Sequence, residues 1–296
     1  MKSELSILIP VYNDVCGSLV AELQRQAEAI DGLLYEIIVA DDGSTYKDCI
    51  EANQKAFGSL AHCKYIIRKE NVGRAAIRNF LAKESHYQWL LFIDCDMTIC
   101  LDNYLSRYLN GTDSPVTCGG YRVGNGSNQN LRYIYEKDAE PKHTAEQRQR
   151  TPYHHFHTSN FLVQRDVMLA NPFDERFRQY GYEDVLLGKK LRTAGVAVQH
   201  IANPVGFDVF EPNDHYVEKT EEGLHTLYHF RHDLRGYNSL LTLVNGIHIG
   251  LVKSAIRLWH RLFGALERRM LCGNKPNLTV FKLYKLGYYL TLTKID

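Results

Sequence analysis

The sequence predicts an α/β fold: a doubly wound, mostly parallel sheet followed by a C-terminal helical extension. Short unbroken runs of Leu, Ile and Val alternate with helix-spaced segments through the N-terminal third, the pattern of consecutive βαβ units. Acidic clusters stand directly after two of these runs, where an open parallel sheet gathers its ligands. The 296 residues are 45% apolar and 23% charged with 8 prolines, an ordinary globular composition with enough chain for a sizeable core. That composition excludes a disordered chain, a collagen and a disulfide mini-protein.

Residues 5–11 read as a strand buried on both faces, and Leu19, Leu23, Gln26 and Ile30 follow at helical spacing. Residues 36–40 form a second strand that ends in Asp41-Asp42-Gly43-Ser44-Thr45. A helix to Phe57 leads to a third strand at 65–67, a helix over 71–83 and a fourth strand at 89–93 ending in Asp94-Cys95-Asp96. Residues 124–153 turn polar, and such an insertion inside a compact domain reads as a functional flap or mobile loop. Strand character resumes over 153–163, Asn171-Pro172-Phe173-Asp174 is a turn, and a helix over 183–193 is stopped by Gly195. Helical patterns return over 215–235 and 239–271. The expected organisation is a catalytic domain over 1–235 and a basic amphipathic extension over 236–296.

The net charge of +1 hides an asymmetry. From residue 251 onward nine Lys and Arg face only Glu267 and Asp296, an excess of +7, against −6 for the preceding 250 residues. Leu251, Val252, Ala255, Ile256, Trp259, Leu262, Phe263, Leu266 and Met270 recur there at helical spacing, with Lys253, Arg257, Arg261, Arg268 and Arg269 on other faces. Such a helix can lie in an anionic membrane surface, or pack on the catalytic domain with a solvated basic face. Seven cysteines form no CxxC pair and no even framework, which reads as reduced thiols in a cytoplasmic protein. No stretch approaches the ~18 apolar residues of a membrane span. The apolar run ended by Pro10 is too short for a signal peptide. The expected location is cytoplasmic, with peripheral contact at the inner face of the cell membrane.

Asp41-Asp42-Gly43-Ser44 can be plain turn chemistry, since Asp and Gly favour turns and Ser caps helices. Asp94-Cys95-Asp96 concentrates like charge beside a hydrophobic strand, which a hard oxygen-seeking cation such as Mg²⁺ or Mn²⁺ would offset. Glu183-Asp184 either favours a helix N-terminus through the dipole or supplies a general base. There is no P-loop, no GxGxxG after the first strand and no GxSxG elbow. His154, His155 and His157 fit solvent or ligand contact better than zinc. No nucleic-acid partner is expected.

Five ordered stretches resemble the motifs of the family 2 glycosyltransferases with the GT-A fold. They are Ser6-Ile7-Leu8-Ile9-Pro10-Val11-Tyr12-Asn13, Val39-Ala40-Asp41-Asp42-Gly43-Ser44-Thr45, and Glu70-Asn71-Val72-Gly73-Arg74-Ala75-Ala76-Ile77-Arg78-Asn79. Phe92-Ile93-Asp94-Cys95-Asp96 and Gly181-Tyr182-Glu183-Asp184-Val185-Leu186-Leu187-Gly188 complete the set. The resemblance implies an inverting, metal-dependent transfer from a nucleotide-diphosphate sugar, usually UDP-linked, to a carbohydrate or lipid-linked hydroxyl acceptor in cell-surface polysaccharide or glycolipid synthesis. It implies that Pro10, Val11 and Tyr12 line the nucleotide pocket, that Asp42 meets the base, and that Arg78 and Arg74 assist on the nucleotide side. Asp94 and Cys95 would lie along the nucleotide sugar, Asn160 in the stretch that touches the transferred sugar, and Asp96 on Mn²⁺ or Mg²⁺. Asp184 matches the catalytic base, Glu183 holds the acceptor or orients the site, and Tyr180, Gly181 and Tyr182 face the acceptor.

Phe207 stands where relatives often carry a histidine metal ligand; Asp208 or His200 is the expected replacement, or else Asp96 and the donor phosphates hold the ion alone. That departure keeps a catalytically degenerate, donor-binding member as one alternative. A sugar-nucleotidyltransferase is another, although Pro10-Val11-Tyr12-Asn13 is not its glycine-rich loop.

Overall fold

The computed structural model describes residues 2–58 and 60–293. The chain opens β1 (Glu4–Val11), α1 (Gly17–Glu28), β2 (Leu34–Asp41), α2 (Lys47–Phe57), β3 (Cys63–Ile67), α3 (Arg74–Glu84) and β4 (Trp89–Ile93). It continues through β5 (Met97–Ile99), α4 (Tyr104–Asn110), β6 (Val116–Cys118), β7 (Tyr121–Val123), α5 (Leu131–Ala139), α6 (Ala145–Arg150), β8 (Asn160–Gln164) and α7 (Arg165–Ala170). Then come α8 (Glu183–Thr193), β9 (Val198–His200), β10 (Val205–Phe207), α9 (Asn213–His229), α10 (Ser239–Gly246), α11 (Gly250–Cys272) and α12 (Leu278–Leu292).

Among the described residues one sheet of seven strands runs β3-β2-β1-β4-β8-β6-β9, and a second runs β5-β10-β7. Strands β1 to β4 are parallel, and β8 enters antiparallel between β4 and β6. The parallel half explains the uninterrupted apolar runs, because both of its faces are covered. Leu8 points into a core layer with α3, α8 and the C-terminal helices, whereas Ile7 and Ile9 point into the opposite layer with α1 and α4. The register sets Val11 beside Asp41, so the carboxyl ends of β1 and β2 finish together.

Three expectations are corrected. The polar stretch 124–153 folds into α5, a 3₁₀ turn and α6 rather than a mobile loop; the side chains of Asn130 and Thr144 cap the two helices by accepting from Tyr133 and Gln147 amides. The strand expected over 153–163 is only β8, because the preceding residues form turns. The helix expected over 239–271 breaks at 247–249.

Apolar contact continues past residue 235. Leu241, Val244, Tyr289 and Leu290 share one core cluster with Leu224, Leu227 and Phe230 of α9 and its end. Leu290 is fully enclosed. Leu290→Ala is expected to cost about 2–5 kcal/mol of global stability through transfer and cavity effects, read as a lowered urea midpoint with an unchanged slope.

Candidate active site

The loops after β1 and β2 are tied to each other. Asn13 adopts φ 53°, and its side-chain oxygen accepts from the amides of Thr45 at 2.7 Å and Tyr46 at 3.0 Å, while its own amide donates to Ser44 Oγ. Asp41 accepts from the Ser44 amide and the Tyr65 hydroxyl. Asp42 is buried, and its two oxygens each accept a backbone amide at 3.0 Å, from Val72 and Gly73. Burial pushes the Asp42 carboxyl above its ordinary value while these two amides pull it down. Its carboxylate therefore holds the segment leading into α3, a job that the sequence reading did not assign. Gly43 sits at φ 73°, where an added Cβ would lie 2.6 Å from the Glu70 carbonyl carbon, so only glycine fits. Pro10 is half-buried, Tyr12 is exposed, and the Val11 side chain faces the core, leaving only its backbone toward this loop cluster.

The clamp on Gly73 sets the start of α3, whose first turns carry Arg74 and Arg78. Arg78 is almost fully enclosed and bridges two elements, reaching Asp94 Oδ1 at 2.5 Å and Glu183 Oε1 at 3.4 Å. A buried guanidinium is tolerated because the carboxylates compensate it. It thereby joins the acidic end of β4 to the acidic start of α8. Glu183 is itself buried; burial and then Asp184 push its carboxyl up, while Arg78 and Arg74 pull it down. Enclosed in this way, the Glu183 carboxylate faces Arg78 at the start of α8.

Asp96 is reached by solvent yet closely surrounded by protein. Burial and then Asp94 push its carboxyl up to about 6. The Cys95 thiol is pushed well above its ordinary range, mainly by burial, and lies 3.9 Å from Asp14 Oδ2. One register step beyond the Phe207–Met97 pair, Asp208 falls opposite Asp96, and its Oδ2 accepts from the Thr98 hydroxyl. Among the described residues no three His, Cys, Asp or Glu side chains converge to hold an ion. Phe207 is core, with the Arg132 guanidinium 4.8 Å over its ring.

Gly181 at φ 97° and Tyr182 at φ 71° turn the chain into α8. A tyrosine in the left-handed region stores about 1–3 kcal/mol of strain, the kind of outlier that clusters at working sites. Asp184 stands in the first turn, partly exposed, with Oδ2 3.7 Å from His157 Nδ1. Tyr180 lies between Arg74 and Lys219, 5.0 and 5.5 Å from its ring centre. Burial alone would lower the Arg74 guanidinium, but Glu183, Asp94 and Asp96 outweigh it and raise it above the usual value. Arg132 of α5 was missed by the sequence reading. It packs over Phe207 and Tyr216, pairs with Glu211 at 3.0 Å and contributes positive charge toward Asp96. The clue was one arginine inside the aromatic-rich run Leu131-Arg132-Tyr133-Ile134-Tyr135.

Two expected residues serve the interior instead. Asn160 is 1% exposed, and its oxygen accepts from the Tyr104 and Tyr108 hydroxyls, each at 2.6 Å. Its nitrogen donates to the Gly120 and Asn203 carbonyls. All four of its hydrogen-bonding positions are filled, so nothing is left for a sugar. His200 is buried, with Nδ1 accepting from Arg148 Nε at 3.1 Å and Nε2 2.9 Å from the Pro152 carbonyl, so neither ring nitrogen is available to a metal. Of the other histidines, His154 stacks on Tyr237, while His155 and His157 flank the ring of His143.

The family described as Glycosyl transferase family 2 matches residues 6–169. A chondroitin synthase from Escherichia coli is 38% identical over 96 residues, 31% of this chain and 13% of that protein. An N-acetylglucosaminyltransferase from Rhizobium leguminosarum bv. trifolii is 28% identical over 100 residues, 33% of this chain and 54% of that protein. The match thus spans about half or less of either curated relative's length. Among solved structures, the mannosyltransferase PcManGT from Pyrobaculum calidifontis, in complex with GDP-Man and Mn²⁺, superposes with a TM-score of 0.61 at 13% identity, over 100% of this chain and 87% of that one. TarS 1–349 from S. aureus gives 0.53 at 17% identity, over 99% and 90%.

Asn160→Ala strands two tyrosine hydroxyls and two carbonyls, and is expected to lower stability by about 2–5 kcal/mol while leaving nucleotide affinity per folded molecule unchanged in calorimetry. Burial, assisted by Arg148 and opposed by the Pro152 carbonyl, pushes the His200 imidazole down to about 4. A histidine depressed on folding stabilises the neutral-pH protein and withdraws that support as pH falls from about 6.5 to about 4. The urea midpoint should therefore drop over this window, and in His200→Gln the drop should be shallower by on the order of 1–3 kcal/mol.

Proposed function

Because the chain belongs to glycosyl transferase family 2 and has the GT-A fold, we propose that it is an inverting glycosyltransferase. It moves a sugar from a nucleotide-diphosphate donor, of the UDP type, to a hydroxyl on a carbohydrate or lipid-linked acceptor, with residues 1–235 supplying the chemistry. The observation that carries this reading is the buried Arg78, bonded to Asp94 and Glu183, which gathers the acidic end of β4 and the start of α8 at the carboxyl end of the parallel sheet. Solved relatives carry GDP-Man and UDP-GlcNAc, both nucleotide-diphosphate sugars, which supports the donor class. The chondroitin synthase and N-acetylglucosaminyltransferase likenesses support polysaccharide work.

In this mechanism Asp184 takes the proton from the acceptor hydroxyl as its oxygen attacks the anomeric carbon. The bond to the diphosphate breaks on the opposite face, which inverts the centre. Asp184 stands in the first turn of α8, at the positive end of the helix dipole. Glu183 and Arg78 fix the direction of that turn, and Arg74 and Arg132 present positive charge to the anionic donor. The β1 and β2 loops, at Pro10, Tyr12 and Asn13, bound the nucleotide.

The donor set around Asp96 is oxygen-rich, and Cys95 stays protonated, which suits Mg²⁺ or Mn²⁺. Asp96 is the residue that would hold the ion, with Asp208 beside it; when bound, such a cation offsets charge on the departing diphosphate.

Release of the nucleotide diphosphate from a panel of nucleotide sugars, measured with Mn²⁺, tests the reading. Asp184→Asn is expected to lower kcat by ~10²–10⁴ with donor affinity retained. Turnover untouched by that substitution would remove Asp184 as base, and donor binding without any release by the wild-type protein would replace transfer with binding.

A further inference from the structure

Helix α11 is inside out. Its 23 residues extend about 35 Å at the helical rise, and the side packed on α9 and α12 carries Arg257, His260 and Glu267 alongside Ile256, Gly264 and Leu271. Arg257 donates to the Leu290 carbonyl at 2.8 Å and to Thr293 Oγ1 at 3.0 Å. His260 fills the notch left by Gly264 and Gly287, where a Cβ on either glycine would collide with its ring, and Glu267 is buried, accepting from Trp259 Nε1 at 2.8 Å. Leu251, Leu258, Leu262 and Leu266, with Trp259 and Phe263, fall on the opposite face at helical spacing, and Leu251 and Leu262 are 79% and 66% exposed. A surface helix ordinarily turns such a stripe to the core, and contiguous exposed apolar surface marks an interaction site.

Charge selects the occupant. Arg261 and Arg269 are exposed and form no ion pair among the described residues, and they sit in the segment whose excess is +7. A second copy of the chain packed through this face about a two-fold axis would bring two sets of these arginines into one interface with no carboxylate of the face to meet them. An anionic bilayer instead accepts the leucine and aromatic face between its headgroups and pairs with the arginines. Among the described residues no helix is long and apolar enough to cross a membrane, so the fit is to its surface. We propose that the outward face of α11 docks the protein flat onto an anionic lipid bilayer. This surface is independent of the transfer chemistry, since none of its residues belongs to the strand-end site.

Flotation of the full chain with phosphatidylcholine vesicles, with and without phosphatidylglycerol, tests it. The wild-type protein is expected to float with the anionic vesicles and to be released by salt. Leu258→Glu/Leu262→Glu, at exposed positions, should weaken binding at least about tenfold while circular dichroism, melting and donor binding stay as in the wild type. Arg261→Glu/Arg269→Glu should abolish the preference for anionic lipid. Wild-type protein that stays unbound to both vesicle types, or a leucine variant that floats equally well, overturns the proposal. So does a wild-type dimer in sedimentation that the leucine substitutions convert to monomer, which would make the face a contact between copies. Because flotation needs no donor, failure here leaves the transferase reading intact, and the reverse holds.

Discussion

Arg78 is a buried cation with two carboxylates at hand, and much of the candidate site follows from that fact. Removing a guanidinium from water is costly, and here Asp94 on one side and Glu183 on the other offset the cost. The pairing constrains both elements that carry them. The end of β4 cannot drift from the start of α8 without leaving an uncompensated charge in a dry interior. Upstream, Asp42 grips the amides of Val72 and Gly73 and so fixes where α3 begins and where Arg78 stands. Two acidic motifs about ninety residues apart in the chain (Asp94 and Glu183) thus share one geometry through a third, basic one.

The parts legible in the sequence were those with local causes. Strands β1 to β4 declared themselves because a sheet covered on both faces needs unbroken apolar runs, and Gly195 marked the end of α8. The strand-end location of Asp94 and Asp96 followed from that topology alone. Asn160 and His200 were misassigned because their partners are remote: Tyr104, Tyr108, Gly120 and Asn203 for the amide, Arg148 and Pro152 for the imidazole. No spacing rule reports that an asparagine's four hydrogen-bonding positions are already filled. The polar stretch before β8 held a local signal that went unread. Thr144 followed three residues later by Gln147 is a capping pattern, and Asn130 before Leu131 is an N-cap. High polarity there reflected two short surface helices that each turn one side inward, Leu131 on α5 and Arg148 on α6.

Folding that stretch also brings the Arg132 charge toward Asp96. With Phe207 in place of a histidine, the guanidinium of α5 covers the aromatic ring and pairs with Glu211, adding positive charge near Asp96. The residue at position 207 and the arginine on α5 are therefore one packing unit. A histidine at 207 would bring a second potential cation against Arg132, which gives a physical reason for the apolar ring.

Periodicity finds the stripe on α11 but cannot say which way it faces, and that direction decides its meaning. On the inward side Arg257 is met by the Leu290 carbonyl and Thr293 of α12 and one Glu267 oxygen by Trp259, whereas His260 Nδ1 and the other Glu267 oxygen make no hydrogen bond and face each other at 3.5 Å. Polar groups turned inward are a more demanding arrangement than leucines turned inward, since each unmet group costs about 1–3 kcal/mol. The small residues at 264 and 287 that admit the His260 ring make the inverted orientation specific, because larger side chains there would separate the two helices. A chain that stabilises this orientation leaves its leucines and tryptophan outward by the same contacts that hold the helix in place. The exposed face is thus a built feature of α11, set by the packing of its polar side.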